Sequence, residues 1–318
     1  MRTPTVSPVA FRRIALAAAI CYALLVVTGG AVRLTGSGLG CHDWPTCSRS
    51  SITPATSFHP LVEFSNRMVS VAVTVLSVAA FLASLTARVR RRDIVWLSSG
   101  LVAGILGQIV IGGVVVLTKL NPYWVALHFL LTLAIVADAI VLYVHATRGD
   151  RSAEQLVGND LMWLSRLLLA TITALVMAGT MVTGSGPHAG GPGAERVPVA
   201  FRDMAELHAD VALFLVGMTL AMLFALHQTR APADVQRRAR TLLEILFVQG
   251  VLGYTQYFLH DNAAVVEVHL AGATAAWSAM VVFYVGLHRR SASTTASRRA
   301  PGASARVHDQ LAVVDAAV

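Results

Sequence analysis

Apolar residues gather into eight long runs, at about 11–34, 61–87, 94–117, 123–146, 161–184, 204–227, 241–259 and 264–288. A helix needs about 20 mainly apolar residues to cross the hydrocarbon core of a bilayer. Each run meets or approaches that length. The pattern predicts an all-α integral membrane fold of eight transmembrane helices. Most polar connections are short, so no separate soluble domain of useful size is expected. Met1–Arg13 is too short and too weakly patterned for a transit peptide. The run 11–34 has no obvious signal-peptidase site, so it is read as the first span.

Charge follows the same alternation. Arginines cluster at Arg12–Arg13, Arg88–Arg92, Arg148–Arg151, Arg230–Arg240 and Arg289–Arg306, which are the N-terminus, every second loop and the C-terminus. The other loops hold only Arg49, Lys119, Arg196 and Arg202. Cytoplasmic loops carry the excess of Lys and Arg, so both termini are expected in the cytoplasm. The net charge of +8 is therefore an orientation signal and does not imply a nucleic-acid partner. Composition agrees with a lipid solvent: 55% of residues are hydrophobic and 13% charged, against roughly 25% charged in soluble domains.

An internal repeat divides the chain. Gly107-Gln108, Gly112, Asn121 and His128 realign with Val248-Gln249, Gly253, Asn262 and His269 at a constant offset of 141. Thr35-Gly36-Ser37-Gly38 recurs as Thr183-Gly184-Ser185-Gly186, and Phe58/Glu63 recurs as Phe201/Glu206. Spans 1–4 and 5–8 are read as duplicates: an N-terminal four-helix half (1–150) and a C-terminal one (151–290), followed by a disordered cytoplasmic tail (291–318) rich in Ser, Ala and Arg. An even number of spans per half gives both the same orientation, related by a pseudo-twofold axis along the membrane normal. Cys41 and Cys47 lie in the first outward loop, where disulfides are permitted. They are read either as a bridge closing that turn or as two unpaired thiols; His42 is the one obvious extra ligand for zinc. Cys21 lies within span 1.

Ionisable groups inside a bilayer are costly and usually face the bundle interior. His128 and His269 each lie about five residues into their spans, roughly 8 Å below the outer helix end at about 1.5 Å per residue, and His208 is near the start of span 6. His208 and His269 share one half. Two histidines on facing helices of a bundle make a bis-imidazole haem site; the plainer alternative is that each merely bonds a neighbouring helix. His145, His227 and His288 sit beside arginines at cytoplasmic ends, and His42, His188 and His260 are in outward loops; none is given a ligand role. Span 2 places His59, Glu63, Asn66 and Arg67 on one helix face. Glu63 is either a structural ion-pair partner of Arg67 or a carboxylate held beside a substrate for proton transfer, since partial desolvation raises a carboxylate pKa toward that use.

Together these motifs resemble the haem A synthase family, membrane enzymes that oxidise haem O to haem A. The resemblance rests on Gly29-Gly30-Ala31-Val32-Arg33-Leu34, on Thr35-Gly36-Ser37-Gly38-Leu39-Gly40-Cys41-His42-Asp43-Trp44-Pro45-Thr46-Cys47 and on Glu63-Phe64-Ser65-Asn66-Arg67. Leu127-His128-Phe129, Leu207-His208-Ala209 and Val268-His269-Leu270 extend it nearly to the chain's end. It implies that His208 and His269 ligate a resident haem b, that His128 ligates substrate haem O with Asn66 and Arg67 beside it, that Glu63 is the catalytic carboxylate, and that Cys41 and Cys47 form a disulfide. The product would be the C8 formyl haem used in cytochrome oxidase assembly, reached through the alcohol and the hydrated aldehyde.

Two departures sharpen the expectation. Many members carry histidine where this chain has Asn66, a replacement expected of an actinobacterial-like subtype, and many have a second cysteine pair where this chain reads Gly186-Pro187-His188-Ala189-Gly190-Gly191. A single histidine on the substrate iron leaves one coordination position open for oxygen activation; His59 is the other candidate ligand. Arg33, Arg67 and Arg202 are candidates for the haem propionates, and Asp138 and Gln108 for supporting contacts. Expected partners are membrane lipid, haem O synthase, cytochrome oxidase assembly factors and a membrane or quinone electron acceptor, in a bacterial plasma membrane. The alternatives are a di-haem cytochrome b-type electron carrier or quinone-linked reductase, which should have two equivalent bis-histidine sites, and a secondary transporter, which should have a broken-helix site at the midplane.

Overall fold

A computed structural model describes residues 6–41, 43–48, 51–86, 91–148, 153–189 and 195–289. The tail 291–318, expected to be disordered, lies outside the described residues, as does His42. Eight long helices follow one another: α1 (Pro8–Leu34), α2 (Phe58–Leu85), α3 (Arg92–Leu117), α4 (Pro122–Thr147), α5 (Asn159–Ser185), α6 (Phe201–Gln228), α7 (Ala233–Phe258) and α8 (Ala263–Gly286). Each expected run falls on one of them, with ends shifted by a few residues. The ends are chemically marked. Ser7 Oγ accepts from Ala10 N–H with Pro8 in the first turn, and Asn121 and Asn262 accept from Tyr123 and Ala264 N–H, as capping side chains do for otherwise unpaired donors.

Seven of the eight helices are long and apolar enough to cross a membrane. The exception is α7, whose first three turns carry Asp234, Arg237, Arg238, Arg240 and Glu244. The expected run 241–259 is the apolar remainder of that helix. One short ladder was also not foreseen: β1 (Glu154–Gln155) pairs antiparallel with β2 (His288–Arg289), tying the connection between the halves to the end of α8.

Within 1–150, α1 packs on α2 and α4, and α3 packs on α2 and α4, which closes a ring of four. α5 to α8 close a second ring in the same order. Each ring has its own core. Phe11, Tyr22, Leu101 and Leu142 are buried in the first, and Leu168, Met222, Leu242 and Phe283 in the second. The rings meet along α8, which touches α1 and α4, and Trp277 Nε1 donates to the Leu133 carbonyl at 2.9 Å across that seam. Large apolar side chains such as Trp96, Phe224 and Phe247 point outward, as a lipid-facing surface requires.

The repeat is visible in the turns. Lys119 and Leu120 before α4 take the left-handed conformation, and so do His260 and Asp261 before α8. These pairs are 141 residues apart, the offset found in the sequence. Left-handed backbone is disfavoured for residues with a Cβ, so its recurrence reflects one turn design used twice.

Candidate functional site

In the first half the site is built around the loop that follows α1. Cys41 and Cys47 are joined by a disulfide; the free-thiol and zinc readings are set aside, and no metal-binding cluster of His, Cys, Asp or Glu occurs among the described residues. Gly40 has no room for a side chain, because a Cβ there would collide with the backbone of His59 and Pro60. The loop thus lies directly on the start of α2. Its Trp44 ring covers Gly113 of α3.

Glu63 fixes the loop from below. Its side chain is buried, Oε2 accepts from Cys41 N–H at 2.8 Å, and Oε1 pairs with Arg67 Nη2 at 2.6 Å. Arg67 extends the clamp by donating to the carbonyls of Asp43 at 3.4 Å, Pro45 at 3.3 Å and Thr46 at 3.1 Å. The ion pair with Arg67 is therefore present. It does not use up the carboxylate, which has about four lone-pair positions.

Asn66, on the same stretch of α2, accepts from Thr28 Oγ1 of α1 at 2.7 Å. His59 is exposed, and its Nδ1 lies 3.0 Å from Ser37 Oγ. His128 belongs to the seam between α3 and α4. Gln108 Nε2 donates to its carbonyl at 2.9 Å and to Thr132 Oγ1 at 2.8 Å. The His128 Nδ1 is buried and has no hydrogen-bond partner. No hydrogen bond joins His128 to Glu63 among the described residues. They share a depth instead: six and five residues into their helices, about 8–9 Å from the same ends.

In the second half two histidines meet. The His208 and His269 ring centres are 6.4 Å apart with planes inclined by 69°. Two metal–imidazole bonds of about 2 Å each, plus about 1 Å from ring centre to nitrogen on either side, require ring centres about 6 Å apart. The His208 Nδ1 lies 3.1 Å from the Leu175 carbonyl. A ring N–H given to a carbonyl leaves Nε2 as the metal-binding nitrogen and fixes the ring's orientation. The His269 Nδ1 is buried without a partner. The residues present thus fit a bis-histidine haem. All three intramembrane histidines lie against a glycine of the next helix: His128 on Gly112, His208 on Gly179 and His269 on Gly253. Without a Cβ there, each ring can approach the neighbouring backbone.

Other expected residues take different partners. Arg33, a candidate for propionates, donates instead to the carbonyls of His188 at 2.7 Å and of Thr183 and Ala189 at 3.3 Å. It bridges the first half to the loop after α5. Arg202 is exposed and paired with Glu206. Asp138 faces Gly100 deep in the first half. The residue missed by sequence reasoning is Glu267, two positions before His269. Both its carboxylate oxygens are buried without a hydrogen-bond partner, and they face Gly30 of α1 at the seam between the halves. Its signal in the sequence is an acidic residue inside an apolar run.

The chain is similar in sequence to known proteins. A family model, COX15-CtaA, described as "Cytochrome oxidase assembly protein", matches residues 12–190. The chain is 35% identical over 108 residues to a heme A synthase of Geobacillus thermodenitrificans, which covers 33% of each protein. It is 32% identical over 108 residues to one of Geobacillus kaustophilus, again 33% of either length. A heme A synthase of Listeria welshimeri is 27% identical over 273 residues, 79% of this chain and 86% of that one. The aligned stretch thus spans about a third of the Geobacillus relatives and most of the Listeria one.

Proposed function

This chain belongs to the COX15-CtaA family of cytochrome oxidase assembly proteins, and we propose that it is a haem A synthase, oxidising the C8 methyl of haem O to a formyl group. It is a multi-pass membrane protein of a bacterium. The half 1–150 takes the substrate haem and the half 151–290 holds haem b, with a pseudo-twofold axis along the membrane normal between them. Both termini face the cytoplasm, since the arginine clusters lie on their side. The observation that carries the reading is the facing pair His208 and His269 in one half, set against a single intramembrane histidine and, at the same depth, a clamped carboxylate in the other.

His208 and His269 would hold the haem b iron, and that group supplies one-electron transfer when bound. Converting a methyl to a formyl group removes four electrons and four protons and takes one oxygen atom from water, so an electron acceptor is required; a quinone or another membrane carrier suits the setting. His128 binds the iron of the substrate haem, positioned by the hold of Gln108 on its carbonyl. Glu63 faces the same depth and accepts a proton from the reacting edge, while Arg67 keeps the carboxylate oriented and the loop closed over the site. Asn66 cannot replace histidine as a strong iron ligand and is engaged by Thr28, which leaves the substrate iron with one protein nitrogen. That asymmetry weighs against the di-haem carrier, which needs two equivalent sites. Haem O synthase, which makes the substrate, and cytochrome oxidase assembly factors, which receive the product, are the proposed partners.

Haem extraction and a pyridine haemochrome spectrum of the purified protein test the reading. Haem b accompanied by haem O, haem A or an intermediate is the expected result. Haem b alone, in two equivalents per chain, would identify an electron carrier instead.

A further inference from the structure

Each half has an outward loop after its first helix, and the two loops are held by different means. The loop after α1 is closed by the Cys41–Cys47 disulfide and clamped by Arg67, which donates to the carbonyls of Asp43, Pro45 and Thr46. The loop after α5 has no cysteine, since the chain's three are Cys21, Cys41 and Cys47. Its own half supplies no counterpart of Arg67 either. At the register that relates Glu63 to Glu206, Arg67 corresponds to Asp210, which is exposed. The guanidinium comes from the other half. Arg33, in the last turn of α1, donates through Nε to the His188 carbonyl at 2.7 Å and through Nη2 to those of Thr183 and Ala189 at 3.3 Å. Three carbonyls of segment 183–189 on one arginine repeat the Arg67 clamp, with the donor drawn from across the seam.

Buried charges usually pair with one another, and a carboxylate is close at hand. One turn back along α1, Gly30 lies against Glu267, whose carboxylate oxygens have no hydrogen-bond partner. Arg33 nevertheless makes no ion pair among the described residues, and its donors go to the loop. The segment it holds covers the outer end of the second bundle. Thr183 and His188, Phe201 of α6, Gln256 of α7, Asp261 just before α8 and Val266 within it line a cavity of about 20 Å3, room for about one water molecule. His208 and His269 lie about 9–11 Å below the starts of their helices, beneath this cap. The same segment reaches α8. His188 Nε2 donates to the Asp261 carbonyl at 2.7 Å, and Gln256 Nε2 donates to Asp261 Oδ1 at 3.0 Å. Asp261 belongs to the left-handed turn that leads into α8, and α8 carries His269.

We propose that Arg33 is a positioning residue for the haem b site, a reading that rests on the haem A synthase function. From the first half it holds segment 183–189 over the outer end of the second bundle. Through His188 it fixes the turn from which α8 presents His269. The clamp keeps water from that end of the site. The shell around a metal site sets its solvent access and, through that, its potential. The first half thus tunes a redox centre that the second half ligates.

Hydrogen exchange of the full-length protein in detergent, with its haem, reads the clamp, and a redox titration of haem b reads its consequence. Arg33→Gln should speed exchange in segment 183–189 about tenfold or more, since bonds to a charged donor are the stronger kind and local opening sets the exchange rate. The same variant should lower the haem b midpoint potential, because water favours the more highly charged oxidised iron. Arg33→Lys keeps the charge and loses the planar fork. It should fall between wild type and Arg33→Gln in both measurements, and it decides the matter if Arg33→Gln fails to fold. Glu195→Ala removes only an exposed bond between the same loop and Asn121, and should change exchange by less than about twofold. Unchanged exchange in both Arg33 variants overturns the proposal, as does faster exchange with an unmoved potential. Wild-type protein that holds no haem b would instead sink the proposed function, which the redox titration shows before any variant is compared.

Discussion

Glu63 and Glu206 stand at the same register of α2 and α6, five residues after a phenylalanine, yet they have opposite surroundings. Glu63 is 5% exposed, and its arginine follows it by one turn, beneath a disulfide-closed loop. Glu206 pairs with an arginine one turn before it, and both side chains are mostly in solvent. The carboxylate has been kept inside in one half and released to the surface in the other. The imidazoles show the reverse. The second half sets His208 against His269, whereas in the first half Asn66 of α2 is bonded to Thr28 and His128 stands alone. The two halves share one frame of four packed helices, and a few side chains at similar depth distinguish them.

Gln108 and Gln249 make the same point on a smaller scale. Gln108 reaches Thr132 and the carbonyl of His128, while Gln249 makes no side-chain hydrogen bond among the described residues and lies against Gly272. At the offset of 141, Thr132 corresponds to Ala273, so the acceptor is missing in the second half. Glu267 is the converse, a carboxylate where the first half has Ala126.

The difference between the halves can be broken from either side. In cofactor content the largest effect is expected for His269→Ala, which should lower bound haem b more than about tenfold in the haemochrome spectrum, since loss of even supporting groups costs about 10–100-fold in metal affinity. His128→Ala should leave haem b within about twofold of wild type; a loss of haem b from that variant would show that the halves are not separate sites. Glu63→Gln should slow conversion of haem O to haem A by about a hundredfold or more, the usual scale of a lost proton-transfer group. Glu206→Gln should change the rate by less than about twofold. An equal effect of both would remove the distinction between the buried and the exposed carboxylate.

Stability changes should be smaller. Opening the short loop with Cys41→Ser/Cys47→Ser should cost about 2 kcal/mol by the chain-entropy argument, read as a lower melting temperature, with the reductant sensitivity of the wild type abolished. The smallest effect sharpens the glutamine contrast. Gln108→Leu should cost about 1 kcal/mol, whereas Gln249→Leu should be neutral or slightly stabilising, because removing an unpaired polar group relieves a desolvation penalty. A melting series of both variants checks the sign.

Much of this was legible in the chain. Eight apolar runs became eight helices, because about 20 apolar residues in a row fix both helix and membrane. The offset of 141 also relates the paired left-handed turns and the asparagine caps of α4 and α8. Face-sharing of Glu63 and Arg67 followed from helical spacing alone, and their ion pair is one turn long for that reason. The polar start of α7 was also written in its residues, and it lies before the apolar run 241–259.

Contacts within a single helix are set by its period, so the sequence determined them: the Glu63–Arg67 pairing, the helix ends and the common depth of His128, His208 and His269. Contacts between helices depend on rotation about each axis and on how closely glycines let the backbones approach, and no one-dimensional pattern holds that information. Only the tertiary structure decided that Arg33 bonds backbone carbonyls of the other half and that Asn66 turns to Thr28. It alone left the Glu267 carboxylate without a partner at the seam and brought His208 within reach of His269.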